Sequence, residues 1–184
     1  MSSDPFQDAK TKGQDFLAKA KAGTLDEASL KWGLSAGAIV SGVSLFFNYI
    51  NVTGFRVWEV HLTGLDLLRF QGQAGLGSLE GWAIPLTAIL GLYLHFGEPG
   101  LKWLKMETPG RARTVYLVGM IMAILGVLGC FHFISVQICL GNALGLVGLG
   151  LLGYVFFKLW QMSPAATPGS PPPPPAPPAP PLGS

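Results

Sequence analysis

Residues 114–157 read TVYLVGMIMAILGVLGCFHFISVQICLGNALGLVGLGLLGYVFF, and none of these 44 positions carries a charged side chain. An α-helix crosses a hydrocarbon core of about 30 Å with roughly 20 residues. The stretch is about twice that length. It therefore predicts two antiparallel spanning helices, Thr114–Ile134 and Gly141–Trp160, with a fold-back inside SVQICLGN. Gln137, Gly141 and Asn142 are the polar and flexible residues available for that turn.

Working outward, the 184-residue chain is 49% hydrophobic and only 12% charged, which is too apolar for an ordinary soluble domain. Residues 32–50 contain no charge and predict a first spanning helix. Gly81–Phe96 predicts another, with Glu80 suited to its N-terminus and Pro85 near its start, where a missing N–H is tolerated. The expected fold class is an all-α membrane protein: four transmembrane helices in a bundle, with a small extracytoplasmic β-hairpin between the first two. Three regions follow: a cytoplasmic amphipathic segment 1–31, a transmembrane domain 32–160, and a Pro-rich disordered tail 161–184.

Lysine and arginine placement sets the expected orientation. Ten of the twelve lie in residues 1–31, in the loop 97–113 or at Lys158, and two, Arg56 and Arg69, lie in the loop 51–80. By the positive-inside rule both termini and loop 97–113 are cytoplasmic and loop 51–80 is outside. Mixed charges precede the first apolar run and no A-x-A site follows it, so the first helix is read as retained. Short loops and no clear targeting segment point to a bacterial inner (plasma) membrane. A net charge of +2 with dispersed basic residues gives no reason to expect a nucleic-acid partner.

In residues 5–22, PFQDAKTKGQDFLAKAKA, one helical face collects Phe6, Ala9, Gly13, Phe16, Leu17 and Ala20. This predicts an amphipathic helix resting on the inner leaflet or docking a partner. Five acids balance five lysines in residues 1–31, so strong attraction to anionic lipid is not expected. In the outer loop, Thr53-Gly54 separates two β-prone runs, the second alternating Phe55, Val57, Glu59 and His61 with Arg56, Trp58, Val60 and Leu62. Thr63-Gly64-Leu65-Asp66 has the pattern of a helix start. Arg56, Trp58, Glu59, His61 and Asp66 form the candidate outer contact site. The tail, PPPPPAPPAPP within residues 163–184, is a polyproline II spacer or a ligand for a proline-reading partner, although no Arg or Lys flanks it to set a binding direction.

Candidate chemistry is sparse. Cys130 and Cys139 flank the fold-back and are a candidate disulfide if the turn brings their Cα atoms within about 7 Å. The competing reading is two buried thiols acting as small apolar residues. His95 and His132 are expected near opposite faces of the bilayer and cannot share a haem. His61, Cys130, His132 and Cys139 form a conceivable outer metal or redox cluster, but their spacing matches no common site. No nucleophile elbow, phosphate-binding loop, HExxH motif or intramembrane carboxylate is present, so no enzyme activity, cofactor or metal is expected. Small residues recur at packing intervals, as in Gly37-x3-Ser41, Gly119-x3-Ala123 and Gly141-x3-Gly145, which suits close helix packing within one chain or in a homo-oligomer.

The order helix, short outer hairpin, Gly-Leu-Asp-Leu-Leu, helix over residues 35–95 resembles the layout of many small four-span bacterial membrane proteins, and that resemblance implies no activity. The reading is a non-catalytic accessory or scaffold subunit whose partners are the lipid bilayer and other proteins. A small oligomeric channel and a redox protein using the outer His/Cys cluster are the alternatives.

Overall fold

The structure, a computed structural model, describes residues 5–53, 59–65, 77–96, 106, 110–134 and 139–163. These form α1 (Pro5–Ala22), α2 (Glu27–Ser44), β1 (Asn48–Thr53), β2 (Glu59–Thr63), α3 (Gly77–Phe96), α4 (Arg111–Ile134) and α5 (Leu140–Met162). Each long helix packs on two neighbours: α2 on α3 and α5, and α4 on α3 and α5. The Lys31 carbonyl near the start of α2 meets His95 near the end of α3, while Gly33 meets Val155 near the end of α5. Neighbouring helices therefore run antiparallel, with the start of α2 and the ends of α3 and α5 gathered at one end of the assembly.

Two helical segments, Arg111–Phe131 and Leu140–Met162, are long and apolar enough to cross a membrane, and Gly81–Phe96 is a shorter apolar helix. At 1.5 Å per residue, α4 and α5 are about 36 and 35 Å long. Only 28% of the apolar window of α4 and 44% of that of α5 is buried, whereas the core helix of a soluble protein is mostly buried.

The helix limits differ from the sequence expectations for identifiable reasons. The first apolar helix begins at Glu27, not Trp32, because Asp26 caps it: Oδ1 accepts from the Ser29 N–H at 2.8 Å. It ends at Ser44, not Ile50. The N–H groups of Leu45, Phe46 and Phe47 turn back to the carbonyls three residues earlier, tightening the last turn before a strand-prone NYINVT. Gly77–Phe96 starts before Gly81, so Pro85 lies inside α3 and not in its first turn. The last helix runs from Leu140 to Met162. Gly141 and Asn142, expected in the turn, thus belong to its first turn, and residues 161 and 162 belong to the helix instead of the tail.

Strands β1 and β2 pair antiparallel from Asn48↔Thr63 to Thr53↔Glu59, with an irregularity between Asn48 and Ile50. Pairing thus ends at Thr53↔Glu59, so the second strand begins at Glu59 and not directly after Thr53-Gly54, with residues 54–58 between the two. Those residues lie outside the described ones, as do Asp66, Gln137 and the tail from residue 164. The Leu65 N–H donates to the Leu45 carbonyl at 3.1 Å, tying the end of β2 to the end of α2.

Burial falls into two clusters. Phe16, Leu30, Leu34, Ala38, Leu94, Leu152, Val155 and Phe156 fill the α1 end. Leu45, Ile84, Cys130 and Leu149 fill the other. Between them α2 and α5 cross closely. A Cβ on Gly148 would lie 2.5 Å from the Ser41 nitrogen and 2.9 Å from the Gly37 carbonyl oxygen, so only glycine fits there.

Candidate functional site

The polar groups collect at the end where α1 joins the helices. Gly23, at φ 72°, terminates α1 in the left-handed conformation, and the Thr24 N–H donates to the Lys19 carbonyl at 3.0 Å. The chain then turns into the Asp26 cap. This folds α1 back so that Phe16, only 4% exposed, packs against Gly33 with its ring 5.6 Å from that of Trp32.

Lys19 locks this turn. Its Nζ lies 2.9 Å from Asp15 and 3.0 Å from Asp26 and reaches the Ser29 hydroxyl at 3.4 Å. Asp15 and then Asp26 hold the Lys19 ammonium above its ordinary value. The hydroxyl and backbone N–H of Ser29, with Lys19, hold the Asp26 carboxyl well below the usual carboxylate range. Beside it, Glu27 is lowered by Lys31, which pairs with it at 2.8 Å.

On the α2 side of α1, a cavity of about 640 Å³ opens between α1, α2 and the end of α3. Its polar lining comprises Lys12, Asp15, Lys19, Ser29, Lys31, Ser35 and His95, and Phe16, Trp32 and Ala28 form its apolar wall. The volume lies within the roughly 300–1,000 Å³ usual for small-ligand sites. His95 Nδ1 lies 2.9 Å from the Lys31 carbonyl. A carbonyl can only accept, so Nδ1 donates and Nε2 is the ring's remaining hydrogen-bonding atom. The Ser35 hydroxyl donates to the Trp32 carbonyl at 2.9 Å.

The residues singled out from the sequence fall elsewhere. Cys130, on α4, and Cys139 are both buried. Cys139 precedes α5, where its backbone N–H donates to Asn142 Oδ1 at 2.9 Å. The small residues serve contacts within the chain. Gly37 and Ser41 meet Gly148, Gly119 meets the Phe156 ring, and Ala123 meets Gly153. Gly141 and Gly145 are buried on α5. Of the outer set, Glu59 and His61 lie in β2 opposite Thr53 and Asn51, whereas Arg56, Trp58 and Asp66 fall outside the described residues. Among the described residues no group of three or more His, Cys, Asp or Glu could hold a metal ion.

The cavity residues were missed by sequence reasoning, although one signal pointed towards them. Asp26-x-x-Ser29 marks a helix start before Trp32 and hence a sharp return from α1. No family model, curated protein or solved structure matches the chain.

Proposed function

We propose that this chain is a four-span integral membrane protein of the bacterial inner membrane, with both termini cytoplasmic and residues 48–63 forming an outer hairpin. It acts as a non-catalytic accessory or scaffold subunit. The observation that carries this reading is the division between interior and exterior. Large apolar side chains face outward on every long helix, among them Ile39, Ile89, Ile121, Leu128 and Val147. Inside, Ser41, Ser44, Thr87 and Asn142 are buried. In water such an exterior would aggregate; in lipid it is the ordinary arrangement.

The buried hydroxyls are bonded within their own helices: Ser41 to the Gly37 carbonyl at 2.7 Å, Ser44 to that of Ser41 at 2.6 Å, and Thr87 to that of Ala83. Groups committed in this way, at a seam closed by backbone contact, favour a structural role over a water-filled path through one chain. The cytoplasmic end suits an interface: Arg113 lies over the Trp160 ring at 4.4 Å, and Trp32 stands near the start of α2.

The test is crosslinking in native membranes of the full chain and of a version ending at Met162, followed by extraction in mild detergent. A stoichiometric protein partner that comes with the full chain and not with the shortened one is expected. Two versions running as the same homo-oligomer, with no partner, would sink the scaffold reading and make conductance in liposomes the next measurement.

A further inference from the structure

The acids and lysines of residues 1–31 balance in number, but the fold sorts them. Lys12, Lys19 and Lys31 take up Asp8, Asp15, Asp26 and Glu27, which are all the acids of residues 5–31. Lys10 and Lys21 are exposed, and among the described residues neither pairs with a carboxylate.

The helix α1 therefore has two unlike flanks. On one, Asp8, Lys12, Asp15 and Lys19 cancel each other in i,i+4 pairs. On the other, Phe6, Lys10, Leu17 and Lys21 follow one another at helical spacing. Gly13 and Phe16, which meet Trp32 and Gly33 of α2, lie between the two. Packing on α2 thus leaves the second flank uncovered by that helix: Phe6 is 74% and Leu17 60% exposed. We infer that this flank of α1 is a docking surface for anionic phospholipids of the cytoplasmic leaflet. The inference rests on the membrane placement proposed above, and it replaces the expectation, drawn from the charge count alone, of no strong attraction to such lipid.

The direction of α1 brings the flank to the right depth. Lys19 meets Asp26 and Ser29, Phe16 meets Gly33, and Gly13 meets Trp32. From the turn at residues 23–26, α1 thus runs back along α2 to the level of Trp32, the residue type that settles among headgroups. There Leu17 and Phe6 supply the apolar surface that enters the acyl boundary. Lys10 and Lys21 can lay their stems over it and set their ammonium groups at the phosphates. The two lysines stand 11 residues apart, about 16 Å along the helix. A leaflet of anionic headgroups offers phosphate over that whole length, whereas a protein partner would need acids placed at matching points. The bundle already holds the chain in the bilayer, so these two charges select the headgroup and need not supply the anchoring.

The experiment makes Leu17→p-benzoylphenylalanine in the full chain, held in nanodiscs of phosphatidylcholine and phosphatidylglycerol in equal amounts, and reads the photoadducts by mass spectrometry. Adducts on phosphatidylglycerol should exceed those on phosphatidylcholine about tenfold. Lys10→Gln with Lys21→Gln should bring the two lipids within about twofold of each other. Lys12→Gln with Lys31→Gln removes the same charge from exposed ion pairs and should leave the preference within about twofold of the parent. Equal adducts on the two lipids in the parent, or equal loss with both glutamine pairs, would overturn the anionic-lipid surface. Adducts on a second copy of the chain in place of lipid would overturn it in favour of a homo-oligomer contact. The same probe at Ile121, exposed on α4, reads the placement separately. Lipid adducts there and none at position 17 would overturn the docking alone, whereas lipid adducts at neither position would remove the membrane placement itself.

Discussion

The helix α2 faces two different neighbours along its length. At Gly37–Ser41 it lies backbone to backbone against Gly148 of α5. Two turns earlier, at Lys31–Ser35, it borders a cavity of about 640 Å³ under α1. One contact has no room for a methyl group; the other has room for a ligand. The difference shows where this chain can vary: the seam tolerates no added atom, while the α1 end is held by ion pairs, one aromatic anchor and a helix cap.

The largest expected effect tests the seam. Gly148→Val pushes side-chain carbons into the Ser41 backbone and should cost about 3 kcal/mol or more, read as earlier unfolding in a denaturing-detergent titration. Gly150, with nothing within 4 Å of its Cβ position, is the control, and its alanine variant should stay within about 0.5 kcal/mol of the parent. Equal losses at both positions would mean that the crossing is looser than described.

Next comes the anchor of α1. Phe16→Ala removes the ring that packs on Gly33 and Trp32 and should cost about 2–4 kcal/mol of α1 docking. Hydrogen exchange should accelerate across residues 5–22 and not in α4 or α5. Unchanged exchange in α1 would show that the ion pairs alone hold it.

A smaller effect is expected within the seam itself. Ser41→Ala keeps the close approach and removes only the hydroxyl bonds to the Gly37 and Ala38 carbonyls, at about 0.6 kcal/mol. A loss as large as that of Gly148→Val would transfer the weight from packing to hydrogen bonding.

The smallest effect is a pH dependence confined to the α1–α2 turn. The Asp26 carboxyl is lowered from its ordinary value of 3.8. Its contribution is therefore complete above about pH 4, and is lost as pH falls through its depressed folded value. Protection of the Ser29 amide, taken relative to the intrinsic exchange rate at each pH, should fall with acidification in the parent. In Asp26→Asn, which can still cap the helix, the titration of residue 26 should be absent. An identical acid response in both would assign it to Asp15 or another carboxylate.

Much of the helical layout is legible in particular residues. The charge-free run 114–157 requires two helices and a reversal between them. The boundaries were harder, because absence of charge was a poor marker of where a helix begins. Glu27 and Lys31 sit inside α2, paired on its surface at i,i+4, and Arg111 and Arg113 sit inside α4. The start of α2 is marked by the Asp26 cap on Ser29, which hydropathy does not register. Pro85 was misplaced for the related reason that α3 begins four residues before its apolar run.

Phe16 illustrates the limit for the candidate site. Its apolar face was visible from spacing, but which surface that face meets depends on Gly33 lacking a side chain and on Val155 arriving from 122 residues away. The small-residue repeats were equally visible, yet Gly148, the tightest of the contacts at the α2–α5 crossing, was not distinguished from Gly150, which touches nothing. Spacing marks a helix face; only the crossing point selects the residue on it.

By itself the sequence determined a chain of apolar helices with basic ends, a reversal near residue 137 and a proline-rich terminus, because charge, hydropathy and proline act locally along the backbone. The tertiary structure alone decided that Lys12, Lys19, Lys31 and His95 border one cavity, that Cys130 and Cys139 are both buried, and that Gly148 carries the crossing. Each of these depends on distances between residues far apart in the chain, and those distances are set by how the helices cross.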